Sequence, residues 1–437
     1  MKATVVGGGL AGCEAAWALA ERGIRVTLHE MRPERKTPAH QTDRLAEIVC
    51  SNTFKSLDHT NAHGLLKAEL RLLGSLLLPV ADGARIPGGT ALTVDREVFS
   101  GEVTARVEAH PNILVRREEI RTVPSSAIIA TGPLTSDALA HAIRDRLGMD
   151  GLAFYDAIAP IVSDESLDYD RLFRASRYGK GDGDDFLNVP LTPEQYGAFV
   201  EALLGADQHV GHAFDDAPYF EGCLPVEEMA RRGRETLRFG PLKPVGLPDP
   251  STGREPYAVV QLRREDRAGQ MWNLVGFQTR IRIPDQKRVF RSLPGLEAAE
   301  FYRFGSIHRN TYLNSPAALT AHLALPDDPQ TLFAGQLVGV EGYTESLGTG
   351  LLAGINLARL LRGEQPVIPP RETMLGALMD YVHHADPRRF QPMNANFGLL
   401  PPLGQTIRDK RRKREALAER ALAAMQRFVH DIVEVTV

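Results

Sequence analysis

The sequence predicts an α/β fold in which a Rossmann-like domain is interrupted by an inserted α+β domain. Val5–Ala16 has the pattern of a buried strand, a glycine turn and a helix, and Ser126–Pro133 ends a second buried strand in a Thr-Gly turn. Between residues 141 and 304 the pattern changes to short strands with many prolines and glycines. Because 437 residues exceed the size of a single core, two domains, or one domain with a large insertion, are expected. We assign 1–140 and 305–437 to a discontinuous first domain and 141–304 to the insertion.

The first stretch carries a glycine turn between its strand and its helix. Gly7, Gly9 and Gly12 fill the G-x-G-x-x-G template, in which the glycines permit a tight turn, close approach to a pyrophosphate and helix–strand packing. The pyrophosphate is expected at the helix N-terminus, where unpaired N–H groups and the helix dipole favour negative charge. The predicted nucleotide-binding residues here are Gly7, Gly8, Gly9, Leu10, Ala11 and Gly12.

The residues after this turn complete a βαβ unit. A helix is predicted over Glu14–Arg22, Gly23 ends it, and Ile24–Leu28 is an apolar strand. Glu30 follows that strand at about the position where the template places a carboxylate that accepts hydrogen bonds from a ribose. We therefore include Glu30 among the predicted cofactor-binding residues.

The rest of the first segment predicts further helices and strands. Gly64–Leu78 has helical periodicity with a broad apolar face. Asp95 is placed to cap a helix, and Asn112–Val115 and Glu119–Val123 are predicted as short strands. These elements would surround the βαβ unit.

The C-terminal part contains a strand, a loop and a glycine-rich helix. The strand is predicted over Thr331–Leu337 and the helix from about Ser346 to Arg362. Gly348, Gly350 and Gly354 lie in the helix, where each glycine costs stability of roughly 1 kcal/mol against alanine. We expect something to approach this helix closely, with packing against another helix as the alternative.

Together, the three segments match the needs of a flavin adenine dinucleotide (FAD) site. The first turn would take the adenosine and pyrophosphate, and Thr131 and Gly132 end a strand where open α/β sheets place ligands. The C-terminal helix would direct its N-terminus at the isoalloxazine, where its dipole stabilises the reduced anion. The sequence has no second G-x-G-x-x-G, so a nicotinamide cofactor is expected to bind only transiently.

Charge and cysteine content limit the class of protein. The net charge of −4 predicts no global attraction to nucleic acid, so an RNA partner would need a local basic patch. Three cysteines and no secretory segment favour free thiols and a cytoplasmic location. No apolar run is long enough to span a membrane, and no metal-binding motif is present.

The three cysteines differ in their surroundings. Cys13 lies in the first turns of the nucleotide-binding helix and is interpreted as a core residue. Cys223 precedes a helix predicted over Val226–Arg232, a position that lowers a thiol pKa, although nearby carboxylates oppose this. Cys50 ends an apolar run, which favours a buried inert thiol. A catalytic pair of Cys50 and Cys223 is the alternative.

Two basic segments are candidates for phosphate contacts. Arg408–Arg414 leads into a C-terminal helix, and Arg231, Arg232 and Arg234 lie close to Cys223. Such runs are commonly solvated helix faces. Beside a reactive thiol they could hold phosphates and give salt-dependent affinity for RNA.

The motifs resemble those of a known family, the folate- and FAD-dependent tRNA (uracil-5-)-methyltransferases called TrmFO. The resemblance runs from Met1 to the basic C-terminal segment, and its most specific parts are Phe220–Pro225 and Phe333–Gly342. The remaining matching stretches are Gly7–Gly12, Cys50–Asn52, Gly64–Lys67, Ala130–Ser136, Tyr155–Ala157 and Gln391–Gly398.

The resemblance implies transfer of a one-carbon unit from 5,10-methylenetetrahydrofolate to C5 of uridine 54 in the T loop of tRNA. Reduced FAD would carry and reduce that unit, and NADH or NADPH would supply the electrons. It also implies Cys223 as the nucleophile that adds to uracil C6 and Cys50 as its partner, with the reverse assignment as the alternative. The cofactor-binding residues it implies in the C-terminal part are Gly335, Gln336, Glu341 and Gly342.

Three alternatives stay open at this point. The sequence is similar, more distantly, to longer flavoproteins that modify the tRNA wobble uridine, but it lacks their extra C-terminal length. A generic FAD oxidoreductase would use the flavin segments and leave the basic segments without a role. A noncatalytic RNA-binding flavoprotein would bind tRNA and leave the base unchanged.

Overall fold

The computed structural model describes residues 1–37, 39–148, 152–208 and 224–434. Its strands are β1 Lys2–Val6, β2 Arg25–Glu30, β3 Thr53–Ser56, β4 Arg85–Ile86, β5 Ala91–Val94, β6 Ile113–Arg117, β7 Ala127–Ile129, β8 Leu152–Ile158, β9 Ile161–Ser163, β10 Phe173–Arg174, β11 Phe186–Leu191, β12 Ala258–Arg264, β13 Met271–Leu274, β14 Phe301–Arg303, β15 Ser306–Tyr312 and β16 Thr331–Phe333.

The helices connect and cover these strands. They are α1 Leu10–Ala20, α2 Ala62–Leu72, α3 Leu77–Gly83, α4 Arg96–Ala109, α5 Asp137–Leu147, α6 Pro193–Leu204, α7 Val226–Arg231, α8 Thr236–Phe239, α9 Ile283–Phe290, α10 Ser315–Ala318, α11 Tyr343–Leu361, α12 Met374–His384 and α13 Lys410–Glu434.

Two larger sheets organise the molecule. The first is parallel, with strand order β16-β7-β1-β2-β6. The second is antiparallel, with order β10-β11-β12-β13-β9-β14. This confirms the predicted α/β class with a Rossmann-like sheet and a separate sheet in the middle of the chain.

Each sheet has its own hydrophobic core. The largest core combines β1, β2, α1 and α11 with helices from both ends of the chain. The core of the antiparallel sheet draws its buried residues from the middle of the chain, between Ala159 and Ala299, and includes Trp272, Phe277 and Phe290. The exact domain boundaries, 140/141 and 304/305, stay a prediction, which this separation of cores supports.

Helix α1 begins earlier than predicted, at Leu10 rather than Glu14, because the glycine turn leads directly into it. Cys13 is fully buried in α1, which confirms its interpretation as a core residue. Asp95 caps α4 by accepting hydrogen bonds from the N–H groups of Glu97 and Val98, as predicted.

Two other predictions were wrong. The helix predicted over Gly64–Leu78 is divided into α2 and α3 around Gly74, which has a φ of 84°. The fully buried carboxylate of Glu14 accepts hydrogen bonds from the N–H groups of Leu76 at 3.1 Å and Leu77 at 3.0 Å, and so caps α3. No strand forms over Glu119–Val123, where the chain follows the rim of a cleft instead.

The glycine-rich helix is explained by packing against a helix. A Cβ atom on Gly350 would lie 2.2 Å from the carbonyl oxygen of Ala11, and one on Gly354 would lie 2.6 Å from that of Ala15. Both contacts are with α1, so α11 lies directly on the nucleotide-binding helix. Packing against another helix, the alternative that the sequence left open, thus explains Gly350 and Gly354.

Candidate functional site

A cleft opens at the carboxyl ends of the parallel strands. Nine of the predicted cofactor-binding residues line it: Gly7, Gly9, Leu10, Ala11, Glu30, Thr131, Gly132, Gly335 and Gln336. The structure therefore brings together residues from three separate parts of the chain. The other four predicted residues in this part of the molecule lie behind the lining and support it: Gly8, Gly12, Glu341 and Gly342.

The glycine turn has the geometry that its sequence predicts. Gly7 has a φ of 105°, and a Cβ there would lie 2.6 Å from the carbonyl oxygen of Ala130. A Cβ on Gly12 would lie 1.8 Å from the Gly7 carbonyl oxygen, so α1 can approach β1 only with glycine at this position. A Cβ on Gly9 would meet open space. Gly9 is therefore where a ligand can reach the backbone.

The N-terminus of α1 is prepared for an anion. Its N-cap residue, Gly9, makes no side-chain capping bond, and the first turn contains no acidic residue. The first N–H groups of a helix lack partners within it and carry the positive end of the helix dipole. A phosphate at this point would satisfy these donors.

Glu30 has a defined set of partners. Its Oε2 accepts a hydrogen bond from Gly8 N–H at 3.0 Å, and its Oε1 accepts from the N–H and Nε–H of Arg32 at 3.0 and 2.9 Å. Burial opposes ionisation, but the Arg32 and Gly8 bonds outweigh it and lower the Glu30 pKa below its usual value. Because a carboxylate oxygen has two lone pairs, Oε2 keeps acceptor capacity for a ribose hydroxyl.

The loop after β2 is held in place by the same arginine. Arg32 Nη1 lies 2.9 Å from Glu47 Oε2, and Glu47 in turn accepts hydrogen bonds from the N–H groups of Gln41 at 2.7 Å and Thr42 at 3.1 Å.

The open Gly9, the uncapped helix and the ionised Glu30 fit FAD. The individual contacts to the cofactor stay predictions.

The C-terminal part closes the other side of the cleft. Gly335, with a φ of 77°, donates its N–H to Thr349 Oγ1 at 2.9 Å. The Gln336 amide donates to the carboxylate of Glu341. Gly342, with a φ of 115°, is the N-cap residue of α11. Glu341 and Gly342 therefore shape the start of α11 and do not face the cleft.

Cys50 lies in a loop at the edge of this cleft, which we define as the Cys50 loop (residues 48–52). Val49 in this loop lines the cleft, as does Tyr343. The Tyr343 hydroxyl accepts a hydrogen bond from Cys50 N–H at 3.0 Å and donates to the Ser51 carbonyl at 2.9 Å. Cys50 itself is partly exposed, which argues against the buried inert thiol favoured by its apolar neighbours.

Two arginines hold the carbonyl groups of the Cys50 loop. Arg96 donates to the carbonyl oxygens of Ile48 at 2.6 Å and Cys50 at 3.0 Å. Arg303 donates to the carbonyl oxygen of Val49 at 2.9 Å. Three consecutive carbonyl groups are thus bound by guanidinium groups from α4 and β14. Such a loop has little freedom to change its conformation.

The antiparallel sheet contributes further contacts to this loop. Arg263 on β12 donates to Asn52 Oδ1 at 3.0 Å, and Glu265 Oε2 lies 2.6 Å from Arg96 Nε. Burial works against the charge on Arg96, but Glu265 beside it raises the Arg96 pKa. The middle of the chain therefore takes part in positioning Cys50.

The second predicted catalytic residue, Cys223, lies outside the described residues. The helix predicted after it is present as α7, and Arg231, Arg232 and Arg234 are exposed around its end. Arg408 and the first residues of α13 are exposed as well.

Sequence reasoning missed Arg96, Arg263, Arg303 and Tyr343. No local pattern marks them, because their partners lie far away along the chain. Within the described ranges, His, Cys, Asp and Glu form no group of three that could hold a metal ion. Among those same residues, no helix is long and apolar enough to cross a membrane.

The chain is similar to known proteins in family, in sequence and in structure. The family model described as glucose inhibited division protein A (GIDA) matches residues 2–365. A methylenetetrahydrofolate–tRNA-(uracil-5-)-methyltransferase TrmFO from Geobacter sulfurreducens is 59% identical over 428 residues, covering 98% of both chains. The TrmFO of Aquifex aeolicus is 54% identical over 432 residues, covering 98% of this chain and 97% of its own.

A solved structure supports the fold. GidA from Aquifex aeolicus, in its form I crystal, superposes with a TM-score of 0.71 over 98% of this chain and 76% of its own, at 17% identity. That identity shows the fold alone, whereas the sequence relatives and the family match show membership. The chain belongs to the GIDA family and to the methylenetetrahydrofolate–tRNA-(uracil-5-)-methyltransferases, the TrmFO family.

Proposed function

We propose that this chain transfers the methylene carbon of 5,10-methylenetetrahydrofolate to C5 of a uridine in tRNA, at position 54 of the T loop, and that the carbon becomes a methyl group. The observation that carries the proposal is a partly exposed cysteine, held rigidly at the edge of a cleft that fits FAD. The TrmFO relatives are named for the same folate donor and for methylation of uracil C5 in tRNA, which supports the proposal.

A cysteine is needed because uracil C5 is a poor nucleophile. Addition of a thiolate at C6 makes an enolate, and C5 can then attack the methylene carbon. A base must afterwards remove the C5 proton so that the thiolate can leave. We assign the addition to Cys223 and the partner role to Cys50, with the reverse assignment as the alternative. The Cys50 loop supplies the fixed position that either role requires.

The methylene carbon must also be reduced, since a methyl group holds two more electrons. When bound, FAD supplies this reducing power. We propose that Gly9 and the N-terminus of α1 bind its pyrophosphate, and that Glu30 accepts a hydrogen bond from its ribose. NADH or NADPH would bind transiently, reduce the flavin and dissociate. This chemistry and the free thiols of Cys13 and Cys50 fit a cytoplasmic protein.

The test is mass analysis of a T-arm uridine after incubation with wild-type protein, methylenetetrahydrofolate and reduced nicotinamide. We expect a gain of one methyl group that disappears when the folate is omitted. Cys50→Ala and Cys223→Ala should both abolish the gain, while the control Cys13→Ala keeps it, because Cys13 is buried in α1.

Three results would contradict the proposal. Methylation by both cysteine variants would rule out covalent catalysis by a cysteine. Folate-independent NADH oxidation without any RNA product would favour a generic oxidoreductase. A mass gain at the wobble uridine, with none in the T arm, would favour the other class of tRNA-modifying flavoprotein.

A further inference from the structure

An exposed aromatic residue, Phe239, ends helix α8 on the antiparallel-sheet side of the molecule. We propose that Phe239, with the cations around it, forms a tRNA-binding surface in which the phenyl ring stacks on an unpaired base. This rests on the proposed function, because it takes tRNA as the substrate. We define the Phe239 surface as Arg231, Arg232, Arg234, Phe239 and Lys243.

Phe239 is unusually exposed for an aromatic residue. Its exposed fraction is 74%, the highest of the large hydrophobic residues in the described part of the chain. It is the last residue of α8, and its N–H donates to the Glu235 carbonyl at 3.2 Å. The helical backbone therefore fixes the point at which this side chain leaves α8, while almost no neighbour covers the ring. Exposing this area to water is unfavourable unless a partner covers it.

The residues under Phe239 form a rigid support. The guanidinium carbon of Arg238 lies 4.3 Å from the centre of the Tyr257 ring and 5.9 Å from that of Phe239. Arg238 Nε also donates to the Tyr257 carbonyl at 2.8 Å, and the Tyr257 hydroxyl donates to Glu235 Oε1 at 3.0 Å. Arg238 is thus engaged beneath the surface, and the outer face of Phe239 stays accessible.

The surroundings of Phe239 are basic. Residues 226–243 contain five arginines and lysines against three glutamates, whereas the whole chain has a net charge of −4. Glu227 is fully buried and bonded to Thr279 at 2.8 Å. Glu228 lies 2.6 Å from Arg231 and also pairs with Arg280. Glu235 lies 3.4 Å from Arg238, so each of the three carboxylates is buried or paired. Arg231 is the partner of Glu228, and the further exposed cations of this segment are Arg232, Arg234 and Lys243.

Charge and shape together select single-stranded RNA as the partner. Phosphates are attracted by the cations, and any unpaired base can stack on an aromatic ring. RNA loops present such unstacked bases, whereas duplex segments keep theirs inside the helix. The surface also begins shortly after Cys223 along the chain, so it belongs to the same stretch of sequence as a proposed catalytic residue.

The test is fluorescence anisotropy of a labelled T-arm hairpin with the FAD-loaded full-length protein over a series of salt concentrations. Phe239→Ala should weaken binding roughly tenfold or more with an unchanged salt slope, because stacking releases no counterions. Phe239→Trp should restore the affinity. Arg234→Ala and Lys243→Ala should each reduce the salt slope by about one.

The matched control is Leu114→Ala, which removes another exposed apolar side chain, 51% exposed on β6. It should bind RNA like the wild type. Flavin absorbance and melting temperature, recorded for every variant, separate lost binding from lost folding. Wild-type affinity of a folded Phe239→Ala variant would overturn the surface. In that case T-arm methylation by the wild type would still support the proposed function. A wild type that neither binds nor methylates the hairpin would overturn both.

Discussion

Two regions meet at the cleft, and they differ in whether the backbone or the side chains provide the polar contacts. At the end of the parallel sheet the backbone provides them: Gly9 and the first N–H groups of α1 face the ligand space, and glycines allow the close approach. Around Cys50 the side chains provide them, because Arg96 and Arg303 bind consecutive carbonyl groups of the loop.

The two regions differ in the mutations that they can tolerate. Backbone donors are present whatever the sequence, so the first region depends on small residues that leave room. The second region depends on guanidinium groups that span two carbonyl oxygens, a geometry that lysine does not reproduce. Mutations should therefore affect the first region through added volume and the second through lost donors.

The largest effect is expected from added volume under the nucleotide-binding helix. Gly350→Ala places a Cβ 2.2 Å from the Ala11 carbonyl oxygen, so α11 and α1 must separate. We expect the free energy of unfolding to fall by about 3 kcal/mol or more, with loss of bound flavin. Thermal melting and flavin absorbance measure this. A variant with wild-type melting would show that volume is not limiting here.

A smaller effect, confined to catalysis, is expected from the arginine contacts. Arg303→Leu removes donors to the carbonyl oxygens of Val49 at 2.9 Å and Ala39 at 3.3 Å. Because misplacing a reacting group by about 1 Å can cost on the order of a hundredfold, we expect kcat for tRNA methylation to fall roughly 10- to 100-fold with little change in KM.

Two variants make this result specific. Arg303→Lys should recover only part of the rate, since one ammonium cannot reproduce both contacts. Arg371→Ala, which removes a side chain that is 63% exposed, should behave like the wild type. An unchanged kcat in Arg303→Leu would mean that the Cys50 loop keeps its position without this arginine.

Glu30 is a charged side chain in the backbone-dominated region and gives a pH test. Its folded-state pKa lies below the ordinary 4.5, so its stabilising contribution is present above about that pH and is lost as the pH falls through the folded pKa. Melting temperatures across the acid range should therefore fall less steeply for Glu30→Gln than for the wild type. The exposed Glu102, paired with Arg106 at 2.7 Å, supplies the control Glu102→Gln. Identical acid limbs for wild type and Glu30→Gln would contradict the assignment.

The smallest effect has the opposite sign. Gly101 lies inside α4, and a Cβ there would meet nothing within 4 Å. Gly101→Ala should raise the free energy of unfolding by about 0.5–1 kcal/mol, because alanine favours the helix. Denaturant titration beside Gly350→Ala gives the same substitution in a crowded and an open helix position. Destabilisation at Gly101 would show that helix propensity does not control this site.

The parts of the structure that follow from short stretches of sequence could be predicted. The strand, glycine turn and helix after β1 depend on residues within a few positions of one another, as does the Asp95 cap. The divided helix could not be predicted, since Glu14 reaches α3 from 62 residues away at Leu76.

The Cys50 loop shows the same limit more strongly. Cys50 and its neighbours could be selected by resemblance, but the hydrogen bond from Arg303 to Val49 joins residues 254 positions apart. An isolated arginine in a strand gives no signal of such a partner. The glycines of α11 predicted that something approaches this helix closely, but only the packing in the structure identified α1 as the element that does so.

Helix α11 connects the two regions. Tyr343 in its first turn bonds the Cys50 loop, and Gly350 rests on α1. Seven residues at 1.5 Å each separate these contacts by about 10 Å along the axis. The number of helical residues between Tyr343 and Gly350 thus sets the distance from the dinucleotide turn to the Cys50 thiol. One residue inserted between Tyr343 and Gly350 would rotate one contact by about 100° relative to the other, so this interval should not tolerate changes of length.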